Sequence, residues 1–337
     1  MTRIGRGILG LVVAVSLGLV PASALAATTA ATPASTTPVT TPKPVKGQLL
    51  LSLDGIFHVN RQPVTITNRA VRVNGFVRPY VAGQVVVLKA YVGSSLVHSE
   101  RLRVIRSRGG TYGHFSSRFS SPRAGQVSVS AVHATSPQLA RVAAGTGFAA
   151  LNPHAGFGST GRFVQLIQGR LALLHFYVPR TGVYDNGTGL AVDAYHRLLG
   201  WGVSQNLGPA TVTALLNQVG TFPVRYPSDG KHVEGNLGKQ LLALIRGGRV
   251  LTIYPISSGK PSTPTVLGRG FKVYSRVPGY LPDGMYFSSF FIGGYAIHGY
   301  DPAPDYPASH GCMRVPIVDA ISIYRWLNYG DIVDVYY

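Results

Sequence analysis

The only cysteine of the chain, Cys312, lies beside residues that could turn its thiol into a nucleophile. His298 and His310 precede it by 14 and 2 residues, and either imidazole could supply the base or positive field that favours a thiolate. Gly311 allows the backbone to come close to a substrate carbonyl, where N–H groups could hold an oxyanion. Arg314 could grip a carboxylate through its two-pronged guanidinium. The stretch therefore indicates nucleophilic catalysis by a cysteine.

The same residues admit two other interpretations. A free cysteine is often a buried and chemically inert side chain. Alternatively, His298 and His310 could bind zinc together with Cys312 or Asp301, as in a metallopeptidase. No third histidine lies near them and the chain has no His-x-x-x-His pair. A single cysteine also excludes an internal disulfide and a zinc site built from several cysteines. We therefore expect no metal site and no organic cofactor.

The complete string around the cysteine is similar to the signature of the L,D-transpeptidases, the YkuD-type enzymes of bacterial wall synthesis. It consists of a His-Gly pair, nine residues, and then a Ser-His-Gly-Cys-x-Arg run: His298-Gly299 and Ser309-His310-Gly311-Cys312-Met313-Arg314. A second similarity lies upstream, where residues 254–268 resemble the strand and turn of that family. The resemblance covers about 115 residues at the C-terminal end of the sequence.

The resemblance implies a role for each residue of the string. Cys312 would be the nucleophile and His298 its base, with the carbonyl of Gly299 orienting the imidazole. His310 and Gly311 would shape the oxyanion site. Arg314 and Ser309 would position the loop and the substrate.

Several tyrosines surround the histidine region of the sequence and could stack on a sugar or peptide. They are Tyr286, Tyr295, Tyr300 and Tyr306. Packing within a β-sheet is the alternative for all four, because aromatic side chains are frequent in strands. Among them we expect Tyr286, together with Phe287, to cover the site and contact substrate.

The segment upstream of the catalytic region, residues 157–217, has the apolar spacing of helices. Three helices are predicted, at 164–174, 189–199 and 209–216, the last with Pro209 at its first position, where the missing N–H costs nothing. Some 55 residues here resemble the small three-helix peptidoglycan-binding module. Tyr195-His196 replaces the usual Phe-Gln pair of that module, so a packing or spacer role is the alternative to glycan binding.

Residues 47–150 alternate between apolar and polar side chains, which predicts short half-buried strands and an immunoglobulin-like β-sandwich. Turns are predicted at Asp54-Gly55, Asn74-Gly75 and Gly109-Gly110. This segment contains twelve Arg and Lys residues and two acidic residues, so its net charge is +10, out of +19 for the whole chain. The basic surface could bind anionic wall polymers, or it could serve solubility alone.

The C-terminal part, residues 222–337, is again mostly β in pattern. Two apolar runs, 240–245 and 250–256, flank Gly247-Gly248, which predicts a hairpin. A helix is predicted at 318–327 and a closing strand at 332–336. The fold class is thus mainly β and multidomain: a sandwich at 47–150, a three-helix module at 157–217 and an L,D-transpeptidase-type β-sandwich catalytic domain at 222–337.

The first 26 residues have the pattern of a signal peptide. A basic start with Arg3 and Arg6 precedes about 13 apolar or small residues and an Ala-Leu-Ala end. The apolar run is shorter than the roughly 20 residues of a membrane span, although an uncleaved signal anchor is an alternative. Residues 27–46, rich in Thr, Pro and Ala, are predicted to be a disordered tether. We expect a secreted protein of the cell wall, neither spanning a membrane nor binding nucleic acid.

The resemblance implies a specific reaction. Cys312 would attack a donor tetrapeptide stem after the L-centre of diaminopimelate, expel D-alanine and form a thioester. The side-chain amine of a diaminopimelate in a second stem would then accept the acyl group and give a 3→3 crosslink. Transfer to water would make the protein an L,D-carboxypeptidase, and a silent catalytic domain would leave a wall-binding protein. The residue pattern alone does not separate these three.

Overall fold

The computed structural model describes residues 43–337. The predicted signal peptide and nearly all of the predicted tether lie outside this range. Within it, Val45 forms a β-bridge with Leu139. No helix among the described residues is long and apolar enough to cross a membrane.

Ten strands form the first part of the structure, and they build two facing sheets. One has the order β1-β4-β8-β7 and the other β2-β3-β10-β9-β5-β6. Valines that alternate along the strands meet between the sheets, because successive side chains of a strand point to opposite faces. The predicted sandwich is therefore confirmed. Its strands are β1 Gln48–Asp54, β2 Phe57–Val59, β3 Gln62–Ile66, β4 Val71–Arg78, β5 Val85–Val92, β6 Ser95–Arg103, β7 Ile105–Arg106, β8 Gly113–Phe119, β9 Gly125–His133 and β10 Val142–Leu151.

One turn predicted within the sandwich is wrong. Gly55 and Gly110 have φ angles of 79° and 70° and lie in turns as expected, but Asn74-Gly75 lies inside β4. A Cβ atom on Gly75 would be 2.0 Å from Cζ of Phe115. Glycine is present here because the Phe115 ring fills the space between the sheets, and no change of chain direction is involved.

All three predicted helices are confirmed, with slightly different ends. They are α1 Arg162–Leu173, α2 Asn186–Leu199 and α3 Pro209–Leu216. Asp185 caps α2 by accepting a hydrogen bond from the Thr188 N–H at 2.8 Å. Gly200 ends α2 in the left-handed conformation, with φ 71°. Pro209 stands in the first turn of α3 as predicted.

The remaining elements form two sheets and a helix. The order of the five-stranded sheet is β13-β12-β11-β19-β14 and that of the four-stranded sheet β15-β16-β17-β18. Helix α4 packs against β16 and β17. The predicted hairpin, helix and closing strand are confirmed as β12–β13, α4 and β19. The elements are β11 Lys231–Asn236, β12 Leu241–Arg246, β13 Arg249–Pro255, β14 Gly268–Lys272, β15 Ser275–Tyr280, β16 Tyr286–Ile292, β17 Tyr295–Gly299, β18 Met313–Val315, α4 Ile317–Trp326 and β19 Ile332–Tyr336.

Strand β12 is buried on both faces, which explains its uninterrupted apolar sequence. Leu242 and Leu244 face the core shared by the two C-terminal sheets. Leu241, Ala243 and Ile245 face a second core, to which the three helices and the nearest sandwich strands contribute. The helices are thus packed directly on the five-stranded sheet. The domain boundaries at 47–150, 157–217 and 222–337 stay a prediction.

The chain between α1 and α2 also extends the five-stranded sheet. Phe176 forms a parallel bridge with Ile253 of the outer strand β13. The Ile253 N–H donates to the carbonyl of His175 at 2.8 Å, and the Tyr177 N–H donates to the carbonyl of Ile253 at 3.0 Å. This short segment therefore covers part of a sheet edge.

Candidate active site

The chemistry-bearing residues lie on the outer face of the four-stranded sheet. Strands β17 and β18 run parallel, with His298 opposite Arg314. Ile297 and Met313 point into the core between the sheets, so their neighbours His298 and Arg314 point outward. Cys312 immediately precedes β18, and its Sγ accepts a hydrogen bond from the Ala296 N–H at 3.4 Å. Two adjacent parallel strands thus carry the histidine, the cysteine and the arginine to one surface.

His298 is held in one tautomer. Its Nδ1 lies 2.9 Å from the carbonyl oxygen of Gly299, and because a carbonyl can only accept, Nδ1 carries the proton and Nε2 is free to accept one. The ring is 2% exposed. Burial lowers the pKa of His298 to about 4. The hydrogen bond to Gly299 opposes this shift, and the positive charge of Arg314 adds to it. The imidazole is therefore neutral near pH 7.

The Cys312 thiol is protonated in this resting arrangement. Burial raises its pKa, while the Ala296 N–H and the charge of Arg314 partly oppose that effect. The thiol lies 3.7 Å from the Gly294 carbonyl oxygen, toward which it points its proton. A neutral thiol and a neutral imidazole on one face of the sheet suit a mechanism in which the base takes the thiol proton as the sulfur attacks.

Hydrogen bonds and a glycine fix the loop that carries the thiol. Ser309 Oγ donates to the Cys312 carbonyl at 2.7 Å and accepts from the Gly311 N–H at 3.0 Å. Gly311 has φ 120°, and a Cβ atom there would be 1.8 Å from Cε1 of Tyr295. Only glycine fits this position. The Gly311 N–H, a predicted oxyanion donor, is engaged by Ser309 here.

The structure separates the two histidines of the string. His310 is exposed, and its Nε2 lies 3.3 Å from Nζ of Lys260. It therefore extends toward Lys260 at the surface, whereas His298 is buried. The sequence alone did not show this difference in exposure.

Arg314 is placed against an aromatic ring instead of an acid. Its Cζ lies 3.9 Å from the ring centroid of Tyr300, which also packs edge-on against His298. Within residues 43–337 no carboxylate forms an ion pair with Arg314, and its Nε is buried without a hydrogen-bond partner. The guanidinium is thus available for an anionic group of a ligand.

Tyr286 is not brought to this surface. It pairs with Gly299 on the side of the sheet that faces α4, because a Cβ on Gly299 would lie 3.2 Å from Cβ of Tyr286 and 2.7 Å from Cβ of Ala320. Phe287 is on that side too, against Tyr324 of α4.

The aromatic side chains at the site are Tyr295 and Tyr300. Position was the available signal for Tyr300, since it follows His298 by two residues in an extended segment. Asp283, in the turn between β15 and β16, was not predicted from the sequence; its charge raises the pKa of both His298 and Cys312. Among residues 43–337 there is no cluster of three or more His, Cys, Asp or Glu that could hold a metal ion.

The C-terminal part of the chain matches a family model. Residues 230–335 match that of the YkuD L,D-transpeptidase catalytic domain. No curated protein matches the chain.

Solved structures of similar proteins are also known. An L,D-transpeptidase from Xylanimonas cellulosilytica is 33% identical, with 54% of this chain and 97% of that chain covered and a TM-score of 0.48. One from Stackebrandtia nassauensis is 19% identical, with 55% and 95% covered and a TM-score of 0.35. A third, from Mycobacterium smegmatis, is 13% identical, with 81% and 94% covered and a TM-score of 0.29.

Proposed function

Because this chain belongs to the L,D-transpeptidase family, we propose that it is an exported cysteine L,D-transpeptidase that forms 3→3 crosslinks between peptidoglycan stem peptides. Family membership places it in the transpeptidase chemistry of peptidoglycan. The acyl-enzyme, the bond formed and the site of action are our proposal. The buried, neutral His298 on the same sheet face as the Cys312 thiol supports it most strongly.

In the first half-reaction, Nε2 of His298 takes the thiol proton as Sγ of Cys312 attacks the donor carbonyl after the L-centre of diaminopimelate. The resulting imidazolium protonates the amine of D-alanine as the C–N bond breaks, leaving a thioester. In the second, the diaminopimelate amine of another stem attacks the thioester and gives its proton to His298. The thiolate leaves and regains a proton from the imidazolium, so no cofactor or external energy source is consumed.

The other residues of the site have positioning roles in this proposal. Gly299 orients the imidazole through its carbonyl. Ser309 and Gly311 hold residues 309–314, the nucleophile loop, which carries Cys312. Arg314, with no acid partner within residues 43–337, would bind a carboxylate of the stem peptide. His310 would act at the entrance, from its exposed position.

Three further parts of the proposal concern the rest of the chain. The basic sandwich at 47–150 would hold the enzyme on anionic wall polymers through its net charge of +10. The three-helix module at 157–217 would contact peptidoglycan. A signal peptide at 1–26 would direct export to the cell wall.

Mass spectrometry of the products formed from a disaccharide tetrapeptide tests the reaction. Transpeptidation yields dimers with loss of one D-alanine, and the thioester is seen as an acyl adduct on Cys312. Trimmed tripeptides without dimers would indicate an L,D-carboxypeptidase. No product and no adduct, identical to a Cys312→Ser control, would mean a catalytically silent wall protein.

A further inference from the structure

A buried ion pair in the three-helix module reaches into the catalytic part of the chain. Arg197 and Asp193 lie one turn apart on α2, with side chains 6% and 2% exposed. Nη1 of Arg197 donates to the carbonyls of Gln240 and Ile256, at 3.1 and 3.0 Å. Long charged side chains are seldom fully buried unless their hydrogen bonds are met. Here Nη2 of Arg197 pairs with Asp193, and the partners of Nη1 lie across the boundary between the helices and the five-stranded sheet; Nε is buried without a partner.

Gln240 connects Arg197 to residues 256–258 through hydrogen bonds. Its backbone is left-handed, with φ 51°, a conformation uncommon outside glycine. Its side chain accepts from the Ser258 N–H at 2.9 Å and donates to Ser258 Oγ at 2.8 Å. The carbonyl of Gln240 also accepts from the Ile256 N–H at 3.0 Å. Arg197 and Gln240 together therefore fix residues 256–258.

Residues 257–258 in turn hold both ends of the nucleophile loop. The Ser258 carbonyl accepts from the Ser309 N–H at 3.0 Å, and Ser257 exchanges two backbone hydrogen bonds with Arg314, at 2.8 and 3.0 Å. Ser309 then bonds to the Cys312 carbonyl. The network runs without a gap from α2 to the backbone of Cys312.

We propose that Arg197 is a positioning residue of the active site, which sets the nucleophile loop through Gln240, Ser258 and Ser309. The three-helix module is then part of the catalytic apparatus, whether or not it also contacts glycan. This inference rests on the proposed function for its substrate assay but not for its thiol assay. Small displacements remote from the chemistry have large effects on rate, because reacting groups must be aligned within fractions of an ångström.

The test compares Arg197→Met with Arg170→Met in the full chain. Arg170 of α1 also donates to backbone carbonyls, of Leu215 and Leu216, but these lie within the helical module. We expect Arg197→Met to lower kcat for D-alanine release by roughly 10- to 100-fold with little change in KM. Arg170→Met should leave both parameters near wild type. Arg197→Lys, which keeps the charge and an N–H donor group, should restore part of kcat.

Alkylation of Cys312 by iodoacetamide gives a readout that needs no substrate. We expect it to become faster in Arg197→Met, since a displaced loop exposes the thiol, and to be unchanged in Arg170→Met. In a Ser309→Ala background, adding Arg197→Met should lower kcat much less than it does in the wild type, because the two residues act along one network. If Arg197→Met unfolds, the Asp193→Asn/Arg197→Met double variant avoids the unpaired buried carboxylate and takes its place.

Equal kcat and alkylation rates in the two arginine variants, or additive losses with Ser309→Ala, would overturn the inference. If the wild type releases no D-alanine, the proposed function fails. The alkylation rates still decide the role of Arg197 in that case.

Discussion

The protonation state of His298 gives the sharpest test of the proposed chemistry. Burial lowers its pKa from 6.5 to about 4, and the rate of D-alanine release should follow the neutral fraction of this imidazole. At pH 5.5 an ordinary histidine is only about a tenth neutral, whereas one with a pKa near 4 is almost fully neutral. The release rate should therefore change little between pH 7.5 and 5.5 and fall only as the pH approaches 4.

The assay is single-turnover release of D-alanine from a disaccharide tetrapeptide in wild type, His298→Gln and His310→Gln. Loss of a general base lowers rates by roughly 10²- to 10⁴-fold, so His298→Gln should fall in that range. His310→Gln, at an exposed position beside Lys260, should keep the acid limb and most of the rate. An acid limb of the wild-type profile that disappears in His310→Gln and persists in His298→Gln would refute the assignment and exchange the two roles.

Three further predictions concern the loop, a buried carboxylate and the sandwich. Gly311→Ala should abolish release and lower the melting temperature in a thermal scan, because φ 120° and contact with the Tyr295 ring exclude a side chain. Glu234 is fully buried; it accepts hydrogen bonds from Tyr336 and two backbone N–H groups and lies 3.3 Å from Nε2 of His232. Burial pulls its pKa up, but the hydrogen bonds, that of His232 first, lower it overall. Glu234→Gln should therefore cost about 3 kcal/mol of unfolding free energy at pH 7, and in denaturant titrations the deficit should shrink as pH falls below 4.5, where the unfolded carboxylate is protonated. If the charge of 47–150 drives wall binding, the fraction of protein that sediments with purified wall should fall steeply as ionic strength rises from about 0.01 to about 1 M. The reason is that the Debye length shrinks from about 30 to about 3 Å over this range. Salt-independent binding would indicate sugar recognition instead.

Local patterns were sufficient to predict most elements. The alternation of valines in β4 and β9 and the apolar spacing of α1 and α2 arise directly from which face each side chain must bury. The turn predicted at Gly75 was wrong for a reason absent from the local sequence. Its glycine accommodates Phe115, a residue 40 positions away on the neighbouring strand β8.

The site was predictable where its residues share one short string. His298, Cys312 and Arg314 meet because β17 and β18 are direct neighbours in register. The face of Tyr286 was not predictable by counting, because the pairing of β16 with β17 shifts register between Tyr286 and Ser289. An irregularity of this kind changes which side chains point outward.

No local sequence pattern could predict the contribution of Arg197. Its partners Gln240 and Ile256 lie 43 and 59 residues further along the chain. In the sequence it is one more basic residue near the end of an amphipathic helix, where a solvated position is the ordinary expectation. Only the packing of α2 on the sheet makes it a buried donor.

The short segment around Phe176 has a consequence for how this chain can be divided. A fragment starting near residue 222 would lose the only strand-like neighbour that β13 has among the described residues on its outer side. It would also present Leu241, Ala243 and Ile245 to water, on a face now covered by helices. An unpaired edge beside an apolar face is the template on which sheets of separate molecules join. Trimming the chain to its catalytic signature would therefore yield a self-associating fragment. A fragment that begins near residue 155 keeps the Phe176 bridge and the helices, and loses only the side chains that the sandwich strands contribute to that core.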